Sequence, residues 1–235
     1  MKLEDTNLIH WVKPSVNLFK IYPDSNVEEA DLDTEAIKKI GMIAGTCFSG
    51  MKNQEELNST NTYEKCRKRV ENCIKNGHHS VLEHVNLTLE IITDRGTSHA
   101  LVRHRHIAVT QHSTIYSKSK GKINLIGYDE DTIPEGAYKA VVETCENIQK
   151  QYEKLTEEYS LPASIARDIL PNMYATKLII TTSIREWFYI LERRKSQKGD
   201  AFRMWIFDNQ LDTLLKKYYP IIYEWMQYYY ANHHI

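Results

Sequence analysis

Seven of the ten histidines of this chain fall between residues 77 and 118, and Arg103 and Arg105 flank one of them, His104. Two guanidinium groups and several imidazoles on one short segment repel one another unless anions or carboxylates neutralise them. An arginine fork matches phosphate oxygens two at a time, and backbone N–H groups at a helix start or turn add donors to the same anion. The segment therefore suits a phosphate, and Gln111, Ser113 and Thr114 follow it with neutral groups suited to a base or sugar. A plainer alternative stands beside this one: Arg103 and Arg105 pair only with Glu83 and Glu90 on a neighbouring strand.

Other chemistries draw on the same residues. A metal-dependent hydrolase would use His78, His79, His84, His104, His106 and His112, since zinc and iron favour imidazole. His104 and His106 lie two apart and diverge on a helix, however, and no H-E-x-x-H run occurs, so no metal site is expected. A nucleic-acid-binding module would combine the basic triplet with Tyr218, Tyr219, Tyr228, Tyr229 and Tyr230. A formal net charge of −1, from 30 basic and 31 acidic residues, argues against a nucleic-acid partner. The Tyr-rich end fits packing between subunits or against the body of the domain better.

Elements must position these groups. Composition is ordinary for a globular chain, 42% apolar and 26% charged, and 235 residues suffice for one sizeable core. With no repeat, low-complexity tract or Gly/Ser/Pro-rich linker, residues 1–235 read as one domain. Cys47, Cys66, Cys73 and Cys145 lack CxxC spacing and no secretory signal precedes them, which points to a reducing, cytoplasmic setting. Apolar stretches such as Leu178 to Ile180 are far short of the ~20 residues that cross a bilayer, so no membrane partner is expected.

The spacing predicts a short strand from Val16 to Tyr22 and a helix from Leu32 to Cys47. A polar stretch from Asn53 to Asn61 then leads into a helix from about Thr62, ended by Gly77. Val85, Leu87, Leu89 and Ile91 alternate with Asn86, Thr88, Glu90 and Ile92, the pattern of a half-buried strand. After a turn at Asp94-Arg95-Gly96, Thr97 or Ser98 caps a short helix carrying the Arg-His-Arg triplet. A polar loop and a strand from Lys122 to Tyr128 follow. The rest reads as helix: about Pro134 to Tyr159, Ser164 to Leu170, Thr176 to Arg194, and Phe202 to Ala231. The expected class is α+β, with a mixed sheet in the first half flanked by long helices.

Three elements in order carry a resemblance. Arg103-His104-Arg105 is followed after seven residues by Ser113; Gly77-His78-His79-Ser80-Val81-Leu82-Glu83-His84 precedes the triplet; Ala166-Arg167-Asp168-Ile169-Leu170-Pro171 lies downstream, with Arg185 and Arg194 beyond it. Together they resemble the flavin-dependent thymidylate synthase family over most of residues 35 to 205, and imply its fold. The resemblance implies reductive methylation of deoxyuridine monophosphate at C5. FAD is the implied cofactor, NADPH and methylenetetrahydrofolate the co-substrates, and a homotetramer with shared active sites the implied assembly. A divergent paralogue acting on C5 of another pyrimidine nucleotide is the alternative within this reading.

On the flavin side the resemblance implies His78, Ser80, Arg103, His104, Arg105, Gln111, Ser183, Arg185 and Tyr189. On the nucleotide side it implies Ala100, Arg103, Gln111, His112, Ser113, Thr114, Ile115, Arg167 and Arg194. Arg194 is the expected catalytic residue, its cation stabilising charge on the uracil ring without a cysteine nucleophile. Helix phase could exchange it with Arg193; counting from Arg185 favours Arg194. The sequence departs from the family's usual residues at Ala100 (Gln), Ile115 (Arg), Ser183 (Asn), Tyr189 (His or Asn) and Gly199-Asp200 (Ala-Gln). Lys118 or Lys120 could replace the cation missing at Ile115.

Overall fold

The computed structural model describes residues 4–19, 32–48, 53–115, 121–127, 133–195 and 202–233. At its centre strand β3 (Asn86–Asp94) buries Leu87, Leu89 and Ile91 on one face, as the alternation predicts. Two short strands precede it, β1 (Ile9–Val12) and β2 (Ser15–Leu18); three follow, β4 (Ala108–Gln111), β5 (Ile123–Ile126) and β6 (Ala175–Ser183). β3 pairs antiparallel with β6 along nine residues, from Asn86 opposite Ser183 to Asp94 opposite Ala175. β2 flanks β3 and β4 flanks β6, giving a four-stranded antiparallel sheet in the order β2-β3-β6-β4. β1 and β5 pair parallel in a separate two-stranded sheet.

The α+β class holds, but two of its expected details do not. The sheets are one antiparallel and one parallel rather than mixed, and the strands are not confined to the first half. The segment expected as a helix from Thr176 to Arg194 is strand β6 followed without a loop by helix α7 (Ile184–Lys195). Thr176, Leu178, Ile180 and Thr182 are buried at period two, and β-branched residues that fit a pleated surface dominate. Pairing with β3 decides the outcome.

Helix α1 (Leu32–Gly45) and helix α3 (Tyr63–Lys75) cross so closely that a side chain at Gly41 would collide with Cys66. Between them the polar stretch is a short helix, α2 (Gln54–Thr60), opened by a reciprocal cap between Asn53 and Glu56. Gly77 ends α3 at φ 76°, with the His78 N–H donating to the Cys73 carbonyl at 2.8 Å. Helix α4 (Arg95–Leu101) is capped by Asp94 rather than Thr97 or Ser98: its carboxylate accepts from the Thr97 N–H at 2.9 Å and the Thr97 hydroxyl at 2.7 Å. The Arg-His-Arg triplet lies beyond that helix, in the turn leading to β4.

The expected helix from Pro134 is α5 (Glu135–Glu153) closing in a wider turn, Lys154–Glu158, and that from Ser164 is α6 (Ala163–Ala166) with a tight turn, Arg167–Ile169. The long final helix is broken into α8 (Phe202–Tyr218) and α9 (Pro220–His233), because Pro220 offers no N–H to a continuing helix but suits a first turn. Asp33 from α1 supplies the cap, accepting from the Ile221 N–H at 2.7 Å and the Ile222 N–H at 3.4 Å. Of the strand expected from Val16 to Tyr22, Val16 to Leu18 is strand and Phe19 is not, and Lys20 to Tyr22 lie outside the described residues. No helix among the described residues is long and apolar enough to cross a membrane.

One apolar cluster joins the antiparallel sheet to α1, α3, α7, α8 and α9; a second gathers Ile9, Ile123 and Leu125 with Cys145 and Tyr152 of α5. Tyr219, at the α8–α9 corner, is buried beside Asp33, and burial above all pushes its hydroxyl up to about 12. As pH rises from 10.0 towards 12, the unfolded chain loses this proton and the folded chain keeps it, so stability falls through that window. The expected loss is about 2–3 kcal/mol, absent in Tyr219→Phe, read from urea midpoints across that pH range.

Candidate active site

The β3–β6 register brings distant segments together. With Asn86 opposite Ser183, the turn Gly77–His84 meets the start of α7. The Arg185 guanidinium donates to Glu83 Oε1 at 2.7 Å and the Ser183 hydroxyl donates to Glu83 Oε2 at 3.3 Å. The Ile184 N–H donates to the Val85 carbonyl at 2.8 Å, and the Trp187 indole N–H to the Leu87 carbonyl at 3.0 Å. These bonds set the phase of α7. Trp187, Phe188, Ile190 and Leu191 point into the core; Arg185, Tyr189 and Arg193 are exposed; Glu186 and Arg194 are half-buried.

His104 faces this helix. Its Nδ1 lies 3.4 Å from Glu186 Oε1, and its ring meets Tyr189 edge-on, centroids 6.4 Å apart. Burial, then the positive charges of Arg194, Arg103 and Arg193, hold the imidazole below its ordinary range. Burial pushes the Glu186 carboxyl up. The contact therefore joins a neutral ring to a carboxyl and is no ion pair at neutral pH. The positive charges of three guanidinium groups thus act on one imidazole, an arrangement that favours an anion or a developing negative charge.

Alongside runs a cleft of about 540 Å³ lined by His79, Glu83, His106, Arg185, Glu186 and Tyr189, and closed by Tyr229 and Tyr230 from α9. Tyr229 meets the His79 ring edge-on at 4.3 Å. The cleft combines three tyrosine rings with charged side chains from Glu83, Arg185 and Glu186, a lining that suits a polar heteroaromatic ring. Arg103 and Arg105 are exposed, and neither takes the carboxylate proposed for it from sequence: Glu83 holds Arg185, and Glu90 holds Lys177 at 3.2 Å. Among the described residues no group of three or more His, Cys, Asp or Glu side chains is placed to hold a metal ion.

The other predicted residues form a second group, at the far end of β4. The Gln111 amide donates to the hydroxyls of Ser98 at 3.1 Å and Thr176 at 3.2 Å. Arg167 reaches Thr114 Oγ1 at 3.5 Å and donates to the Ser164 carbonyl at 3.1 Å, so it stands over the loop holding His112, Ser113 and Ile115. The four residues of β4 separate this group from the triplet by roughly 10 Å along the strand. Arg194, expected on the nucleotide side, is near enough to His104 for its charge to act on that ring.

Ala100 packs partly buried against the core, His78 and Ser80 are exposed outside the aromatic cleft, and Ile115 is exposed. Lys118, Lys120 and Gly199-Asp200 lie outside the described residues. Sequence reasoning missed Glu186, His106, Tyr229 and Tyr230 as cleft residues. Glu83 sat within the quoted Gly77–His84 run, but its partner Arg185 lies 102 residues on.

A sequence profile of the family described as "Thymidylate synthase complementing protein" matches residues 31–216. A Synechocystis protein named "Flavin-dependent thymidylate synthase" is 27% identical over 182 residues, 72% of this chain and 81% of that protein. A Mycobacterium tuberculosis protein of the same name is 28% identical over 139 residues, 53% of this chain and 56% of its own length. A third, from Mycobacterium sp., is 28% identical over 145 residues, 54% and 57% of the two chains. The chain thus spans a little over half the length of the mycobacterial relatives.

Proposed function

The chain belongs to the thymidylate synthase complementing protein family, and on that premise we propose that it is a flavin-dependent thymidylate synthase. Deoxyuridine monophosphate, methylenetetrahydrofolate and NADPH with a proton become thymidylate, tetrahydrofolate and NADP⁺. The observation that carries this reading is the cleft walled by Tyr189, Tyr229 and Tyr230, beside His104, on which the positive charges of Arg194, Arg103 and Arg193 act.

Arg103 and Arg105, exposed beside the cleft, would hold the flavin's phosphates, with Arg185, Ser183 and Tyr189 against its ring. When bound, the reduced flavin supplies the hydride that completes the methyl group. Arg194 stabilises negative charge on the uracil ring and so makes C5 nucleophilic. Arg167 and the Gln111–Thr114 run hold the sugar and phosphate. No thiolate is needed, and burial pushes the Cys66 and Cys73 thiols above their ordinary range.

Within this reading the chain acts as one domain in a homotetramer whose sites are shared. The separation of Arg194 from the Arg167 group supports it, since one subunit would then lend Arg194 to a nucleotide held by another. So does the exposure of Val102, Val109, Ile115, Ile165 and Ile169, with the outer edge of β4 unpaired among the described residues.

Glu83→Ala, which frees Arg185 from its carboxylate, is expected to weaken flavin retention by about tenfold, the scale of one misplaced charged hydrogen bond. Stability should hardly change, because the pair is about half exposed. Gel filtration with absorbance at the flavin bands reads the first, thermal unfolding the second. The whole reading is tested by the visible spectrum of the purified protein and by tritium release from deoxyuridine monophosphate labelled at C5. Flavin bands with release support it; flavin with turnover only of a cytidine nucleotide, or no flavin, overturns it.

A further inference from the structure

A second groove, of about 470 Å³, runs along α3 and adjoins the turn that borders the aromatic cleft. Lys65, Lys68, Arg69, Asn72 and Cys73 line it from one face of α3, and Asn76, just past the helix, and His78 close its end. Among the described residues no acidic side chain lines it; Glu71, on the same helix, is taken up by Lys75 at 2.7 Å. Arg69 is anchored on Asn61 Oδ1 at 3.0 Å and Lys65 donates to the Thr60 carbonyl at 3.1 Å, while Lys68 is exposed. From Lys65 to His78 the donors spread over roughly 20 Å of helix and turn. Such a row does not converge on one phosphate. It matches a flexible chain carrying carboxylates at intervals.

Adjacent residues connect the two hollows: Gly77 and His79 line the aromatic cleft and His78, between them, lines the groove. We propose that the groove binds the oligo-γ-glutamyl tail of the reduced folate, whose ring system enters the aromatic cleft from the Gly77–His79 side, next to the flavin ring held at Arg185 and Tyr189. The proposal rests on the synthase reading above for the identity of the ring. Each exposed carboxylate–ammonium contact contributes little, so the tail acts through several contacts together and weakens as salt rises.

The test compares monoglutamyl with pentaglutamyl methylenetetrahydrofolate on the flavin-loaded enzyme. The expected result is a KM about five- to tenfold lower for the longer tail at low salt, the scale of two or three exposed ion pairs, with the ratio falling to about one in Lys65→Glu/Lys68→Glu. Equal KM values in the unaltered enzyme, or a ratio kept by the variant, would overturn the proposal. Absence of turnover with the monoglutamyl form would instead strike the synthase reading. The groove is then judged by equilibrium binding of pentaglutamyl against monoglutamyl folate, and no preference for the longer tail overturns it. Tighter binding of a single-stranded oligonucleotide than of penta-γ-glutamate would also overturn it, assigning the groove to nucleic acid.

Discussion

Arg194→Ala is expected to lower the turnover of deoxyuridine monophosphate by about 10²–10³-fold, the usual effect of removing one preorganised group from a developing anion. In the proposed role the loss should fall on kcat, because the charge that Arg194 would meet exists in the transition state and hardly in the bound nucleotide. Flavin content should persist, since Arg103, Arg105 and Arg185 remain. Arg194→Lys should recover only part of the rate: an ammonium keeps the charge but loses the planar fork. The half-buried position of Arg194 and its first place among the charges that depress His104 separate it from exposed Arg193. Removing it should therefore let the His104 imidazole rise towards its ordinary range, a change visible by NMR titration. If Arg193→Ala costs the larger share of kcat, the two assignments are exchanged.

Trp187→Ala is expected to cost about 3–5 kcal/mol of stability, the range for emptying a buried aromatic site. Trp187 is fully buried, and its indole N–H satisfies the Leu87 carbonyl in the central strand. The variant thus opens a cavity and also strips a ladder position of a partner. Trp187→Phe keeps most of the volume but loses the bond, and about 1–2 kcal/mol is expected. Urea unfolding with an unchanged slope reads both; a loss under 1 kcal/mol for alanine would mean that α7 is held by something other than its core face.

What could be read from the sequence follows from how local each signal is. β3 was legible because Leu87, Leu89 and Ile91 alternate with polar neighbours. β6 was not, because its apolar residues run into Trp187, Ile190 and Leu191 and continue a helical spacing; only the partner strand, roughly 90 residues away at Leu89 opposite Ile180, decides between the two. β4 carries no pattern at all, since each of its four residues is exposed. The α8–α9 break could have been read from Pro220, whereas its cap, Asp33, is a partner from the other end of the chain.

The candidate site divides in the same way. The expectation that Arg103-His104-Arg105 attracts an anion rests on residue type, so it could be stated from the sequence. That Glu83 is spent on Arg185, or that Tyr229 and Tyr230 wall the cleft, is a property of tertiary contact. The resemblance named the groups; it could not show that one chain holds Arg194 and Arg167 at opposite ends of β4.

The direct passage from β6 into α7 carries a consequence for motion. A helix that starts at the last residue of a fully paired central strand cannot slide or tilt without opening that strand. Amides from Thr176 to Leu191 should accordingly be among the slowest to exchange with deuterium, opening only when the whole molecule unfolds. Ligand binding should leave their protection almost unchanged and register instead at the exposed turn around Arg103.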